Sequence, residues 1–157
     1  TADRLDKLEL PSMVETKRST ALHQTAFTVS VDAIKGTTTG ISAHDRALTI
    51  RALVAPDTKP CDLARPGHIF PLRAHPDGVL GRRGQTEAGV DLARLGGGVP
   101  AAVICEIMAT DGTMAKGKEV ERFAAHHRLH YISVGEVADY RRAVEPANAQ
   151  VRSEPIA

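Results

Sequence analysis

Segments with the pattern of a strand alternate along this chain with segments of helical pattern, and this alternation limits the fold more than any other feature. Apolar side chains recur at every second position over residues 25–32, which predicts a strand. Ser42, followed three residues later by Asp45, predicts a capped helix over residues 43–54. The alternation of such segments predicts an α/β fold with a mixed sheet flanked by helices.

Further segments extend the same pattern. The continuous apolar run at residues 101–108 predicts a buried strand, and residues 129–134 predict another. Spacing and boundary residues predict additional helices before Pro11 and over residues 81–95, 118–127 and 135–144. We therefore expect one domain over residues 1–144, followed by a flexible tail over residues 145–157, which contains two prolines.

The composition limits the kinds of partner. A chain of 157 residues with 42% hydrophobic and 25% charged residues is the size of one compact domain. Twenty basic and nineteen acidic residues give a formal charge of +1. A charge this small does not indicate binding to nucleic acid or to an anionic membrane. Aromatic residues make up 3% and tryptophan is absent, so base-stacking surfaces are not expected. The expected partner is a small molecule or another protein.

The two cysteines, Cys61 and Cys105, are too far apart in the sequence to form a Cys-x-x-Cys pair. No signal peptide or long apolar run stands in the sequence, so we expect a reduced, cytoplasmic protein. Cys105 lies within an apolar run and is expected to be a buried small hydrophobe rather than a nucleophile. His126 and His127 are adjacent on a predicted helix and point in different directions, so a shared metal ion is not expected.

The start of the helix after Gly84 has the composition of an anion site. Arg83 supplies a cation, Gly84 permits close backbone approach, and Thr86 supplies a hydroxyl. Free amide groups at a helix N-terminus favour the binding of phosphate. The alternative is a solvated arginine pair, although cations at this end of a helix oppose its dipole.

Two residues are candidates for acid and base chemistry. Glu106 lies within the predicted buried strand, where burial favours the protonated form of a carboxylate. The alternative role for Glu106 is an ion pair with an arginine. His68 follows Pro66 and Gly67 in a predicted rigid turn, and its alternative is a surface histidine without a function.

Four segments, in their order and approximate spacing, resemble the signature blocks of the dihydroxybutanone phosphate synthase family of riboflavin biosynthesis. These segments are residues 25–32, 38–46, 65–73 and 104–115. The resemblance implies a lyase that converts ribulose 5-phosphate into dihydroxybutanone phosphate and formate with Mg²⁺. It also implies homodimers with sites near the subunit interface.

The resemblance assigns roles to individual residues. Glu106 matches a catalytic glutamate of the family, and His68 matches a histidine at the substrate site. Substrate phosphate binding falls to Arg83, Gly84, Gln85 and Thr86. Three further residues are expected to line the site: Thr38, Ser42 and Asp45. We expect Asp45 and its neighbour Arg46 to be mainly structural.

The sequence departs from the family pattern at two places. The family's phosphate block reads Gly-His-Thr-Glu-Ala, and its histidine is a Mg²⁺ ligand, whereas Gln85 stands at that position here. Glutamine offers an oxygen ligand to Mg²⁺ but cannot titrate as imidazole does. The family's amino-terminal acidic block, which supplies the other metal ligand, does not occur in this sequence. We therefore expect the usual Mg²⁺ site to be weakened.

Three functional hypotheses follow. The first is the ordinary synthase reaction, completed by a segment that this sequence lacks, either upstream on the same protein or on a companion chain. The second is a diverged enzyme that acts on a related sugar phosphate or specialised metabolite without the standard metal. The third is a non-catalytic subunit. The first is preferred because most site residues are present, and a homodimer is expected.

Overall fold

The structure is a computed structural model that describes residues 1–22 and 25–151. Its strands are β1 (Val31–Ala33) and β2 (Leu63–Ile69). Its α-helices are α1 (Ala2–Lys7), α2 (Ala43–Val54), α3 (Gln85–Leu95), α4 (Lys118–His127) and α5 (Val134–Val151). Short 3-10 helices occupy Thr16–Arg18, Pro60–Asp62 and Gly78–Leu80. Within the described ranges, no helix is both long enough and apolar enough to cross a bilayer.

The sheet of the described residues consists of β1 and β2 in antiparallel pairing. Val31 lies opposite Ile69 and Ala33 lies opposite Leu63, with an irregularity directly after Val31. Most of the strand predicted at 25–32 is replaced by isolated bridges, while β1 covers its end. This pairing matters for function because it sets Asp32 on β1 close to the residues at the end of β2.

The amino-terminal helix packs on this sheet. Leu5, Leu8 and Leu10 form a buried cluster with Val31 and Leu63. Apolar side chains removed from water in this way each stabilise the fold by about 1.5–3 kcal/mol. The first cluster therefore lies directly beneath the pairing of β1 with β2.

A second apolar cluster lies between α3 and α5. Val79, Ala88, Val137 and Ala138 are its buried members. Arg141 on α5 is also buried and reaches from this cluster to the acidic side chains around it. Helix α3, at whose start phosphate binding is predicted, is thus packed against α5 through Ala88 and Asp91.

The helix predictions with local boundary signals are confirmed, except that α3 begins at Gln85 and not at the predicted residue 81. Helix α2 has the predicted bounds, and the backbone amide of Asp45 donates to Ser42 Oγ at 3.0 Å. Helix α4 also has the predicted bounds. Helix α5 continues past the predicted end at residue 144 to Val151, and residues 152–157 of the predicted tail lie outside the described residues.

Two strand predictions are wrong for the described chain. Residues 101–107 and 129–133 form no strand. At the end of the apolar run 101–108, Met108 makes an isolated β-bridge with Met114. Val103 is 67% exposed, so the segment is not buried as predicted. A strand forms only where a neighbouring strand accepts its ladder of hydrogen bonds, and the described residues supply none here. Cys105, predicted to be buried, is consequently exposed.

Candidate active site

His68 and Asp32 form a hydrogen-bonded pair across β1 and β2. His68 Nδ1 lies 2.7 Å from Asp32 Oδ2, and the backbone amide of His68 donates to Asp32 Oδ1 at 2.9 Å. The Asp32 side chain is 13% exposed, whereas that of His68 is 43% exposed. The pair therefore presents one ring to solvent and holds it with a mostly covered carboxylate. His68 lies within β2 and not in the predicted turn.

Two glycines make room for this pair. A Cβ on Gly40 would lie 2.0 Å from Asp32 Oδ2 and 2.7 Å from His68 Nδ1, and the φ of Gly40 is +80°. A Cβ on Gly67 would lie 2.2 Å from the backbone nitrogen of Asp32. Only glycine leaves space at these positions, and the positive φ at Gly40 favours it again. The two strands can approach closely enough for the pair to form because neither glycine carries a side chain.

Asp45 braces the loop that carries Gly40. Its Oδ2 accepts hydrogen bonds from Thr38 Oγ1 at 2.9 Å and from the backbone amide of Gly40 at 3.0 Å. Burial raises the pKa of Asp45, but the hydrogen bonds from Thr38, Gly40 and Ser42 outweigh it and hold the pKa below its usual value. Thr38, Ser42 and Asp45 therefore form one network, which reaches the His68 pair through Gly40.

Arg83, Gly84, Gln85 and Thr86 lie together at the start of α3. Gly84 is the N-cap residue, and Gln85 is the first residue of the helix. Gly84 has no side chain, so the N-cap residue accepts no side-chain hydrogen bond from the first amides of α3. Arg83 and Gln85 are exposed and thus accessible to a ligand at this end of the helix.

Glu87 is a buried residue of this segment that the sequence reasoning missed. Its Oε2 accepts from Arg82 Nη1 at 2.9 Å, and its Oε1 accepts from the backbone amide of His75 at 3.0 Å. The carboxylate lies in the first turn of α3, where a negative charge is favoured by the helix dipole. An acidic residue in the first turn of a predicted helix was the signal that could have found it.

Comparison with known proteins decides the family. The sequence profile of 3,4-dihydroxy-2-butanone 4-phosphate synthase matches residues 1–140 of this chain. This chain belongs to the 3,4-dihydroxy-2-butanone 4-phosphate synthase family. The fold agrees, because the described helices and antiparallel strands superpose on solved synthases.

One relative and two structures illustrate the likeness to other synthases. A 3,4-dihydroxy-2-butanone 4-phosphate synthase from Agrobacterium fabrum is 56% identical over 138 residues, which cover 88% of this chain and 64% of the relative. The synthase structure from Candida albicans has a TM-score of 0.81 and 45% identity, covering 89% of this chain and 68% of that one. A synthase structure in complex with two magnesium ions has a TM-score of 0.76 and 42% identity, covering 89% and 70%.

The chain spans about two thirds of the length of the synthases that it matches, with 64% of the length for the relatives from Hamiltonella defensa and Agrobacterium fabrum. The sequence given thus corresponds to part of the length of these relatives. The activity of a whole synthase is therefore a proposal for this chain.

Glu106 does not have the surroundings predicted for it in this member of the synthase family. It was expected in a buried strand, but it is exposed on a segment without regular structure. The backbone carbonyl of Glu106 accepts from the Cys105 thiol at 3.5 Å. The strand prediction was wrong, and the burial inferred from it was wrong for the same reason. An exposed carboxylate remains free to meet a ligand.

The predicted residues of the synthase site fall into separate networks. His68 and Thr38, Ser42 and Asp45 are joined around Gly40. The phosphate segment is organised instead around Glu87 and Arg82. The sequence predicted both sets of residues. Only the network of Thr38, Ser42 and Asp45 reaches the His68 pair, through Gly40.

The described residues do not fit a Mg²⁺ site by themselves. Across residues 1–22 and 25–151, no three His, Cys, Asp or Glu side chains are grouped so that they could hold a metal ion. Gln85 offers a single amide oxygen at the exposed start of α3, whereas Mg²⁺ favours six oxygen ligands, of which water supplies only some.

Proposed function

We propose that this chain forms the greater part of a 3,4-dihydroxy-2-butanone 4-phosphate synthase, which converts ribulose 5-phosphate into dihydroxybutanone phosphate and formate. The observation that carries the proposal is the family match over residues 1–140. The hydrogen-bonded pair of His68 with Asp32 and the position of Arg83 and Thr86 at the start of α3 support it. The proposal places the reaction in the cytoplasm, where phosphorylated sugars are available.

Substrate binding is assigned to the start of α3. The substrate phosphate would meet the first amides of the helix, the Arg83 guanidinium and the Thr86 hydroxyl. Backbone amides and the positive end of the helix dipole both favour an anion at this position. The nearby Glu87 carboxylate does not cancel this preference because Arg82 is paired with it.

Proton transfer is assigned to His68 and Glu106. The His68 ring is held on one side by Asp32 and is partly exposed on the other, so it can give or take a proton at a bound sugar. Glu106 supplies an accessible carboxylate as the second acid or base. Positioned groups of this kind typically accelerate proton transfer by about 10²- to 10⁴-fold each.

Release of formate from ribulose 5-phosphate tests the proposed function. The chain, supplied with the acidic segment that the family carries, is expected to release formate, and Glu106→Gln is expected to lower the rate by about 10²-fold or more because glutamine cannot exchange a proton. Formate is measured in parallel reactions with and without Mg²⁺. Glu119→Gln on the exposed side of α4 is the matched control and should leave the rate unchanged.

The variant Gln85→His resolves the role of the metal in the same assay. Increased formate release that depends on Mg²⁺ would locate the weakness of the metal site at residue 85. Absence of formate from all preparations, with the protein folded, would contradict the synthase activity and favour a non-catalytic subunit. Normal turnover by the chain with Mg²⁺ would instead eliminate the diverged enzyme.

We also propose that the chain associates, either as a homodimer or with a companion segment. The support is its exposed apolar surface, which includes Val103 at 67%, Met108 at 68% and Tyr131 at 56% exposure. Large apolar side chains exposed in this way are a frequent property of protein interfaces. Light scattering is expected to give twice the mass of one chain, and a monomer mass at all concentrations would remove the homodimer.

A further inference from the structure

We infer that Asp32 is a positioning residue for His68, which fixes the imidazole in the tautomer with its proton on Nδ1 and leaves Nε2 for the substrate. The catalytic meaning of this inference rests on the proposed function. The tautomer itself is a property of the folded chain and can be measured without any substrate.

Both oxygens of Asp32 bond to the same residue. Oδ1 accepts from the backbone amide of His68 at 2.9 Å, and Oδ2 lies 2.7 Å from ring Nδ1. These two bonds fix the ring relative to its own backbone, so rotation about the side-chain bonds of His68 would break one of them. The Asp32 carboxylate is therefore the hydrogen-bond partner of the His68 ring and also sets the orientation of that ring.

The chemistry of the two groups determines where the proton lies. An ionised carboxylate can only accept hydrogen bonds, so Nδ1 must be the donor in the short contact with Asp32. A neutral imidazole carries one proton, and Nε2 then keeps its lone pair. His68 can thus take a proton at Nε2 while its Nδ1–H stays bonded to Asp32.

The surroundings of the pair protect the carboxylate and expose the ring. Gly40 and Gly67 border Asp32 closely enough that a Cβ on either would collide with it. The Asp32 side chain is 13% exposed against 43% for that of His68. Water can therefore compete poorly for Asp32, whereas a ligand can reach the ring.

His75 provides an internal comparison with the opposite prediction. Its Nδ1 accepts a hydrogen bond from the backbone amide of Asp77 at 3.2 Å. A nitrogen that accepts from an amide cannot carry the ring proton, so neutral His75 should be protonated on Nε2. One chain thus contains two histidines for which the structure specifies different tautomers.

Nitrogen-15 NMR of the full chain tests the inference. Long-range proton–nitrogen correlations at about pH 9, where imidazole is neutral, distinguish the two tautomers. We expect the Nδ1–H pattern for His68 and the Nε2–H pattern for His75, with each ring assigned by its His→Gln variant. An Nε2–H pattern for His68 in the unmodified protein would overturn the inference, and the variants serve only to assign the signals.

The variant Asp32→Asn tests whether the carboxylate is the cause. We expect His68 to lose its Nδ1–H preference while His75 keeps its pattern, and the exposed Asp57→Asn should change neither ring. An unchanged His68 spectrum in folded Asp32→Asn would contradict the inference.

Formate release by the same variant separates this inference from the proposed function. In an active preparation, Asp32→Asn should lower kcat by about 10²- to 10⁴-fold with little change in KM, because the ring and not substrate binding is affected. An unchanged kcat would contradict the positioning role. If the unmodified protein releases no formate but shows the predicted His68 tautomer, the proposed function fails and the positioning of the ring by Asp32 stands.

Discussion

Arg141→Met is expected to lower the free energy of unfolding by about 3 kcal/mol, because it leaves the buried Asp91 carboxylate with only a longer ion pair, at 3.5 Å, to the partly exposed Arg94. Arg141 is 7% exposed and Asp91 is 3% exposed, and Arg141 Nη1 donates to Asp91 Oδ2 at 2.9 Å. The same nitrogen donates to the carbonyl of Asp77 at 2.6 Å. Methionine fills similar space but donates no hydrogen bond. Urea denaturation followed by circular dichroism measures the loss.

Arg142→Met is the matched control for this substitution. Arg142 lies on the same helix and pairs with Asp139, and both side chains are at least half exposed. An exposed pair of this kind contributes at most about 1 kcal/mol. Equal losses for the two variants, or a loss below about 1 kcal/mol for Arg141→Met, would show that the buried network does not stabilise the fold as proposed.

The pH dependence of stability offers a second measurement on Arg141. Its hydrogen bond to Glu145 lowers the pKa of that carboxyl below the usual 4.5. A lowered folded-state pKa means that the stabilisation is complete above the unfolded-state value of 4.5 and is lost as the pH falls through the folded-state value. Arg141→Met should therefore reduce the acid-dependent loss of stability. An unchanged slope below pH 4.5 would contradict this assignment.

Gly67→Ala is expected to lower the free energy of unfolding by about 3 kcal/mol, at the upper end for an overpacked interior. The new Cβ would lie 2.0 Å from the carbonyl carbon of Val31 and 2.2 Å from the nitrogen of Asp32. Both atoms are backbone, so relief requires β1 and β2 to separate. Chemical denaturation measures the stability, and the NMR signals of His68 should shift because its partner moves with β1.

Gly135→Ala is the control for adding a methyl group. A Cβ at Gly135 would meet only the Ser133 hydroxyl, at an ordinary 3.6 Å, and Gly135 lies at the start of α5. Alanine favours a helix over glycine by up to about 1 kcal/mol, so stability should be unchanged or slightly higher. If Gly67→Ala were as stable as the unmodified protein, β1 and β2 could not be packed as closely at Gly67 as the distances to Val31 and Asp32 indicate.

The parts of the fold that the sequence predicted are those with local signals. Helix α2 begins where Ser42 caps it, and α4 follows from the spacing of its own apolar residues. The segment at residues 101–108 has the composition of a strand, but a strand also needs a neighbour, and its composition does not reveal whether one is available. The exposure of Glu106 follows from that missing neighbour.

The candidate site was predicted to a similar extent. His68 and the segment Arg83–Thr86 were identified from motifs, which are local in sequence. Asp32 was missed because an aspartate at the end of a predicted strand carries no local sign of its partner, which lies 36 residues away. Glu87 was missed because its contacts with His75 and Arg82 arise only when the preceding turn folds back onto α3.

Gly40 has a consequence for engineering of this protein. Its amide is held by Asp45 at the start of α2, while its α-carbon abuts the carboxylate that orients His68. A change in the helix cap is thus transmitted to the His68 ring through a single backbone residue. Substitutions that raise thermal stability at the start of α2 are therefore expected to alter the orientation of this ring at the same time, and libraries meant to change only one of these properties should leave residues 38–45 unchanged.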